Sequence, residues 1–515
     1  MVYPGSHARS RPDHPAVVMA DGGTLTYAEL ESRSLRLAAA LRSSGLRRGD
    51  GVALIAENHL RFFEVYWGAM RSGLYFTAVN WHLAPAEAAY LIADSGARAL
   101  VTTGQQAETA AEAVATAPDC RVRLILDGAA EGFVSYDDAL ATADGTALDD
   151  QPLGQVMLYS SGTTGRPKGI RRALRDVQVS DPEAAGVSRL GSALLGMGPD
   201  TVYLCPAPLY HAAGLQWSAG IHELGGTLVV LPRFDAEDLL RTIERHRVTH
   251  VQVVPTMLVR LLKLPAEVRR RYDLSSLRAV VHAAAPCPPE VKRQTLDWLG
   301  PIVHEYYAAT EGAGLTYIGP QDWLAHPGSV GKALLGEPHI CDERGRELPP
   351  GEPGLIYFGQ AQPAFEYHRA AEKTAESRHP EHPNWATTGD VGYLDEDGYL
   401  YLTDRKNFTI ISGGVNIYPA EIESCLTMHP KVGDVAVIGL PDLEMGERVH
   451  AVVEPAPGVA GTPELADELR AYARAHLAGF KVPRTVDFRA ELPRLPTGKL
   501  RKSDLRAEYL DTARS

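Results

Sequence analysis

The sequence predicts an α/β protein: a large N-terminal domain of two stacked, helix-covered sheets with a small β-rich unit, then a small α+β C-terminal domain. Three observations carry that prediction. Two successive series of short apolar segments alternate with helical stretches, the pattern of largely parallel sheets with helices on their faces. A stretch punctuated by Gly and Pro over 328–367 interrupts the alternation. Beyond the polar, turn-like Asp404-Arg405-Lys406-Asn407 the chain begins a compact unit of its own. The boundary is set near 404, giving domains 1–403 and 404–515, and a chain of 515 residues is in any case too long for one core.

In the first series, Thr26-Tyr27-Ala28-Glu29 reads as a capping box, in which hydroxyl and carboxylate satisfy the open amides of a helix start. That helix runs through Leu35, Leu37 and Leu41 to a stop at Gly45. Residues 51–57 and 97–103 read as strands and 64–73 as a helix. The second series has strands over 201–205, 227–231, 249–254, 279–283 and 302–307, with helices over 236–246 and 289–299 between them. Asp397-Gly398 is a hairpin signal between 392–394 and 399–403. The C-terminal unit has a helix over 419–428, strands over 435–440 and 450–453, and a helix over 463–477.

Composition narrows the function. Hydrophobic residues make up 45% and charged residues 22%, as in an ordinary globular protein. A formal charge of −13 argues against nucleic acid, whose phosphates reward clustered Lys and Arg. No apolar run is long enough for an integral membrane segment, and the N-terminus lacks the apolar core of a secretion signal. Cys120, Cys205, Cys287, Cys341 and Cys425 are odd in number and scattered, which suits a reducing cytoplasm rather than a disulfide framework. Nothing in the sequence decides for or against a homo-oligomer.

The segment Tyr159-Ser160-Ser161-Gly162-Thr163-Thr164-Gly165-Arg166-Pro167-Lys168-Gly169 is the strongest local signal. Its glycines let backbone amides approach an anion, its hydroxyls donate, and Lys168 adds a point charge: the chemistry of a polyphosphate cradle. A Walker A loop is excluded, because Pro167 stands where that pattern needs Gly and Gly169 where it needs a hydroxyl. An aromatic, a hydroxyl and a carboxylate follow in Tyr307-Ala308-Ala309-Thr310-Glu311, suited to stack on adenine, bind a phosphoryl oxygen and hold Mg²⁺.

Together with Thr388-Gly389-Asp390, Asp404–Gly414 and Pro496-Thr497-Gly498-Lys499, these segments resemble, in order, the motifs of the adenylate-forming superfamily: acyl-CoA synthetases, peptide-synthetase adenylation domains and luciferase. The resemblance covers nearly the whole chain. It implies an ATP-dependent carboxylic acid:CoA ligase that forms an acyl-adenylate and then a thioester, with ATP, Mg²⁺ and CoA as participants. Ser160, Ser161, Gly162, Thr163, Thr164, Gly165, Lys168, Ala284, Glu305, Tyr306, Tyr307, Thr310, Asp390, Arg405 and Lys499 are carried over as the nucleotide site, and Glu311 as the Mg²⁺ ligand. Glu305 stands where many relatives have an uncharged hydrogen-bonding residue, and Ala308 departs from the usual Gly. Lys499 is the implied catalytic cation, with Thr310, Glu311 and His211 beside it. The C-terminal domain is implied to be mobile: Asn407 takes the hinge position, where Lys or Asp is usual, and Ser412, Gly413 and Gly414 form the CoA face.

The acid pocket is expected to include His211, Trp217, Thr256, His282, Ala309 and Gly312. No Asp stands over 211–217 to hold an ammonium group, so an apolar acid fits better than an amino acid. The segments 282–286 and 306–314 look most like actinobacterial ligases for long-chain or polycyclic acids. Two alternatives stay open: an acyl-AMP ligase that loads a carrier-protein pantetheine, and a nucleotide-binding protein without turnover. Against the second, Thr163, Glu311, Asp390 and Lys499 are all present.

Overall fold

The computed structural model describes residues 3–143, 148–160, 167–405, 408–413, 415–494 and 500–512. The chain forms two compact units. One comprises Met1–Val253, Leu264–Val280 and Phe365–Ala371, the other Val254–Lys263, Val281–Ala364 and Glu372–Ser515.

The first unit holds a six-stranded sheet in the order Val134–Ser135, Val122–Ile125, Ala97–Thr102, Gly51–Ile55, Tyr75–Val79, Gln155–Val156, parallel throughout. Its central strands, Gly51–Ile55 and Tyr75–Val79, are buried at every residue, which is why they read as unbroken apolar runs. The Tyr27–Ser43 helix starts at the expected capping box: Thr26 Oγ1 accepts from Glu29 N at 3.2 Å, and Thr26 N donates to Glu29 Oε2 at 2.8 Å. A second parallel run has the order His250–Val253, Val202–Cys205, Thr227–Val230, Pro15–Met19, with Thr24–Thr26 antiparallel at its edge. The Ala236–His246 helix beside it matches the expected span; the Asp235 side chain caps it by accepting from Glu237 N and Asp238 N.

The Pro15–Met19 strand was not expected, and it joins the second series although it precedes the first. Its partner, Thr227–Val230, lies about two hundred residues away, so no local pattern could announce the pairing. A small antiparallel sheet of Leu158–Ser160, Lys168–Arg171 and Glu366–Tyr367 pairs Lys168 with Ser160 at the two ends of the glycine–threonine segment.

In the second unit the pairing turns antiparallel. The order is Val303–Ala308, Leu315–Ile318, Ser329–Leu335, Leu400–Arg405, Asp390–Leu394, Gly354–Gly359, Glu337–Cys341. This contains the expected β-rich stretch and the Asp397-Gly398 hairpin. The Leu315–Ile318 strand is a further addition, absent from the strands expected. Helix Pro289–Leu299 fits its expected bounds, and its Leu296 packs with Val303, Ile318 and Trp323. The C-terminal part is built on a long hairpin, Val432–Asp442 with Gly446–Pro455, and Thr485–Phe488 adds in parallel. Helices Pro419–Thr427 and Pro463–His476 bury Ile422, Leu426, Leu465 and Leu469 against one face of it; Leu505 of the Lys502–Thr512 helix packs on the other, with Ile438 and Val452. Among the described residues, no helix is long and apolar enough to cross a membrane.

Gly331 shows how closely the antiparallel strands fit. Its φ is +92°, and an added Cβ would lie 2.0 Å from the Tyr317 carbonyl oxygen. Gly331→Ala is expected to cost on the order of 3 kcal/mol through strain and overpacking together, read as a lower midpoint in thermal unfolding. An unchanged midpoint would show that the strand moves aside freely.

Candidate active site

In the second unit, the Thr388-Gly389-Asp390 turn places a carboxylate at the start of the Asp390–Leu394 strand. Gly389 has a φ of +86°, and a Cβ added there would meet nothing within 4 Å, so conformation rather than space calls for glycine. Asp390 is buried, and its Oδ2 accepts from Tyr307 Oη at 2.8 Å and from Thr388 Oγ1 at 2.9 Å. Tyr307 comes from the Val303–Ala308 strand and leans on Phe358, with centroids 6.1 Å apart. The aromatic and ribose residues expected from sequence are thus brought together by a direct hydrogen bond.

Past that strand the chain turns through Ala309, Thr310, Glu311 and Gly312. Gly312 has a φ of +69°, and its N donates to Ala309 O at 2.9 Å. Gln360 Nε2 clamps the turn by donating to Gly312 O at 3.0 Å and Ala313 O at 2.6 Å. Sequence reasoning missed Gln360, since one polar residue in an irregular stretch carries no signal. Glu311 is buried at this turn. A single carboxylate suits Mg²⁺, which takes one or two from protein and completes its octahedron with phosphate oxygens and water. Among the described residues, no cluster of three or more His, Cys, Asp or Glu could form an all-protein cage.

Ala284 lies just past the Ala279–His282 strand with a φ of +74°, a left-handed conformation that is strained for any side chain. The Glu305 side chain is joined to a lysine of the Pro289–Leu299 helix. It is buried, and its Oε2 accepts from Lys292 Nζ at 2.6 Å. Lys292 also went unrecognised, because a lysine on an amphipathic helix reads as solvated. His282 is fully buried beside that pair. Tyr306, Thr256, Ala309 and Gly312 are half-buried in the same unit.

The first unit carries the flanks of the phosphate segment. Tyr159 Oη donates to Asp94 Oδ2 at 2.7 Å, and Tyr90 Oη to the Pro167 carbonyl at 3.1 Å. Lys168 Nζ sits 5.1 Å from the Tyr367 ring centroid. His211 caps the Ala212–Leu224 helix without a side-chain cap bond. Its Nε2 is buried with no hydrogen-bond partner among the described residues, and burial lowers its pKa to about 3, so the ring is neutral. Trp217, on the same helix, is buried. In the C-terminal part, Gly413 has a φ of +59° and donates its N–H to Met445 O at 2.8 Å, while Ser412 pairs with Val415. Ser161, Gly162, Thr163, Thr164, Gly165, Asn407, Gly414 and Lys499, and the side chains of Ser160 and Arg405, lie outside the described residues.

Residues 6–368 match the family model for AMP-binding enzymes, and residues 421–499 that for the AMP-binding enzyme C-terminal domain. The chain belongs to the AMP-binding enzyme family. This AMP-binding enzyme is 36% identical to a feruloyl-CoA synthase from Amycolatopsis sp., covering 98% of both chains. It is 33% identical to the fatty acid–acyl-carrier-protein ligase ScoC of Streptomyces coeruleorubidus, over 99% of this chain and 96% of that one. Its fold matches the anthranilate CoA ligase AuaEII in complex with anthranoyl-AMP, with a TM-score of 0.87 at 26% identity, covering 100% of this chain and 99% of that one. The AMP-binding enzyme is an ATP-dependent acid–thiol ligase with the mixed α/β architecture of the adenylate-forming fold.

Replacing Asp390 by Asn removes the charge that two hydroxyl donors address. Hydrogen bonds to a charged group are worth about 1.5–3 kcal/mol. Asp390→Asn is therefore expected to raise KM for ATP by roughly tenfold or more in steady-state assays, and an unchanged KM would remove Asp390 from the nucleotide site.

Proposed function

We propose that this ligase activates a hydrophobic carboxylic acid, of the long-chain or polycyclic kind, and transfers the acyl group to the thiol of CoA. The observation that carries the acid class is the uncharged wall of the first unit. His211 is half-buried, with its Nε2 buried and its ring neutral, Trp217 is buried on the next turns of the helix, and no acidic residue stands over 211–217 to pair with a substrate ammonium. Burying an unpaired ammonium there would cost several kcal/mol, whereas an apolar tail gains about 25 cal/mol per Å² of surface covered.

In the first step a carboxylate oxygen attacks the α-phosphorus of ATP, the bond to the bridging oxygen breaks, and pyrophosphate leaves. Two anions must meet, so the barrier is chiefly electrostatic. Lys499 supplies the cation between them, and hydroxyls and amides of the segment from Ser160 to Gly165, with Lys168, hold the leaving phosphates. Tyr307 offers the adenine a ring that its bond to Asp390 keeps from turning, while the Asp390 carboxylate and Arg405 take the ribose hydroxyls. Mg²⁺, held at Glu311 with Thr310 beside it, would neutralise phosphate charge. In the second step the C-terminal domain, bounded near 404, turns about Asn407. The face of Ser412, Gly413 and Gly414 then admits the thiol, whose sulfur attacks the acyl carbon as AMP leaves with the former carboxylate oxygen. The likeness to ScoC supports a second reading, in which the thiol belongs to a carrier-protein pantetheine.

The test is acid-dependent ATP–pyrophosphate exchange over fatty, aromatic, steroid and diterpenoid acids, repeated with CoA. Exchange strongest with the apolar acids, and thioester on adding CoA, is the expected outcome; exchange confined to amino acids would refute the acid class. Lys499→Ala is expected to slow pyrophosphate exchange by on the order of 10²-fold, as for loss of one transition-state donor, and to spare thioester formation from supplied acyl-AMP. Equal losses in both steps would reject the division of labour. Glu311→Gln is expected to raise the Mg²⁺ concentration giving half-maximal exchange, and an unmoved titration would take Glu311 out of the metal site.

A further inference from the structure

A lysine, a glutamate and a histidine are buried together where the adenine turn meets the Val303–Ala308 strand. Lys292 Nζ donates to Glu305 Oε2 at 2.6 Å, with side-chain exposures of 1% and 8%. His282 is wholly buried; its Nε2 lies 3.5 Å from the same oxygen, and neither ring nitrogen has a hydrogen-bond partner among the described residues. The Trp323 ring closes the remaining side of the ammonium, its centroid 5.0 Å from Nζ. A buried pair of this kind contributes little net stability compared with apolar residues of similar volume. Its location is more informative.

Each member sits beside a residue of the nucleotide site. His282 ends the Ala279–His282 strand, immediately before the turn that carries Ala284 at φ +74°. Lys292 lies in the first turn of the Pro289–Leu299 helix, which that turn leads into. Glu305 shares its strand, and its face by two-residue spacing, with Tyr307. The Lys292–Glu305 bond thus ties the element that follows Ala284 to the strand that presents Tyr307.

We propose that Lys292 is a positioning residue for the adenylation step, its ammonium fixing the Glu305 carboxylate and with it the spacing between the Ala284 turn and the Tyr307 strand across which adenine is held. This rests on the ligase reading above. The groups facing Glu305 are Lys292 from the helix, His282 from the preceding strand and Cys287 from the turn, with His304 on its own strand bonded to Tyr317 Oη at 2.7 Å; Ile318 opposes it from the neighbouring strand. Burial raises the Glu305 carboxyl and lowers Lys292, each opposed by the other's charge; burial and then Lys292 lower His282.

Without the ammonium, His282 and Glu305 must bind one proton between them to cancel the carboxylate. At low pH that proton is present, whichever of the two holds it. As pH rises it is lost, leaving an uncompensated buried charge that pushes the strand from the turn. In the wild type the neighbouring ammonium supplies that compensation.

The experiment is ATP–pyrophosphate exchange by wild type, Lys292→Met, Lys292→Arg and the double variant Lys292→Met/Glu305→Gln from pH 6 to pH 9. The rate of Lys292→Met relative to wild type is expected to fall by about tenfold or more over that range, as one lost proton allows, with the loss carried by KM for ATP. In Lys292→Arg and in the double variant the ratio to wild type should stay flat, since the first keeps a cation and the second removes the carboxylate. A flat ratio for Lys292→Met overturns the proposal, as does a Lys292→Met protein unfolded at pH 6 and pH 9 alike, for the pair would then serve the fold alone. Wild type without acid-dependent exchange would instead defeat the ligase reading, so the two failures are distinct.

Discussion

The Asp390 carboxylate accepts two hydroxyl donors on one oxygen, and one of them, Tyr307, belongs to a strand separated from its own by three others. Leu315–Ile318, Ser329–Leu335 and Leu400–Arg405 stand between them. The bond is thus tertiary rather than part of the ladder, and it fixes an aromatic ring against a carboxylate at the strand ends. The other features of the second unit serve that juxtaposition. Gly389 supplies the backbone conformation that turns Asp390 inward, Phe358 backs the tyrosine ring, and Gln360 fixes the turn that carries Thr310 and Glu311. These contacts hold the polar groups in place before anything binds.

A second constraint is burial of charge. The Lys292–Glu305 pair and the unpartnered ring of His282 lie where water is excluded, and the Nε2 atom of His211 is likewise buried without a partner among the described residues. Groups of this kind are costly, and proteins keep them where geometry or chemistry requires them. Burial lowers the His211 pKa to about 3, so its imidazole is uncharged. In the first unit, Tyr159 donates to Asp94 and Tyr90 to the Pro167 carbonyl, on the two sides of the glycine–threonine segment.

Much of this was legible in the sequence, for physical reasons that differ by element. The Tyr27–Ser43 helix was announced by a capping box, and Ala236–His246 was read as a helical stretch between two apolar strands, because both signals are local. The parallel sheet showed itself in apolar runs because its strands are covered on both faces. The Pro15–Met19 strand and the antiparallel Leu315–Ile318 strand were invisible, since each is defined by a distant or oppositely directed partner rather than by its own pattern. Tyr307, Asp390 and Ala284 were named from the family resemblance, and the structure joins the first two by a hydrogen bond. Lys292 and Gln360 act through hydrogen bonds to residues outside their own elements, and no periodicity marks them.

The central claim is that the acid oxygen displaces pyrophosphate at the α-phosphorus, and the fate of that oxygen tests it most directly. The ligase would be run with a carboxylic acid labelled with ¹⁸O in both carboxyl oxygens, ATP and the thiol, and the products examined by mass spectrometry. Attack at the α-phosphorus followed by thiol capture predicts one labelled oxygen in AMP and none in pyrophosphate. Label appearing in inorganic phosphate, with ADP as the nucleotide product, would mean attack at the terminal phosphorus and would contradict the account.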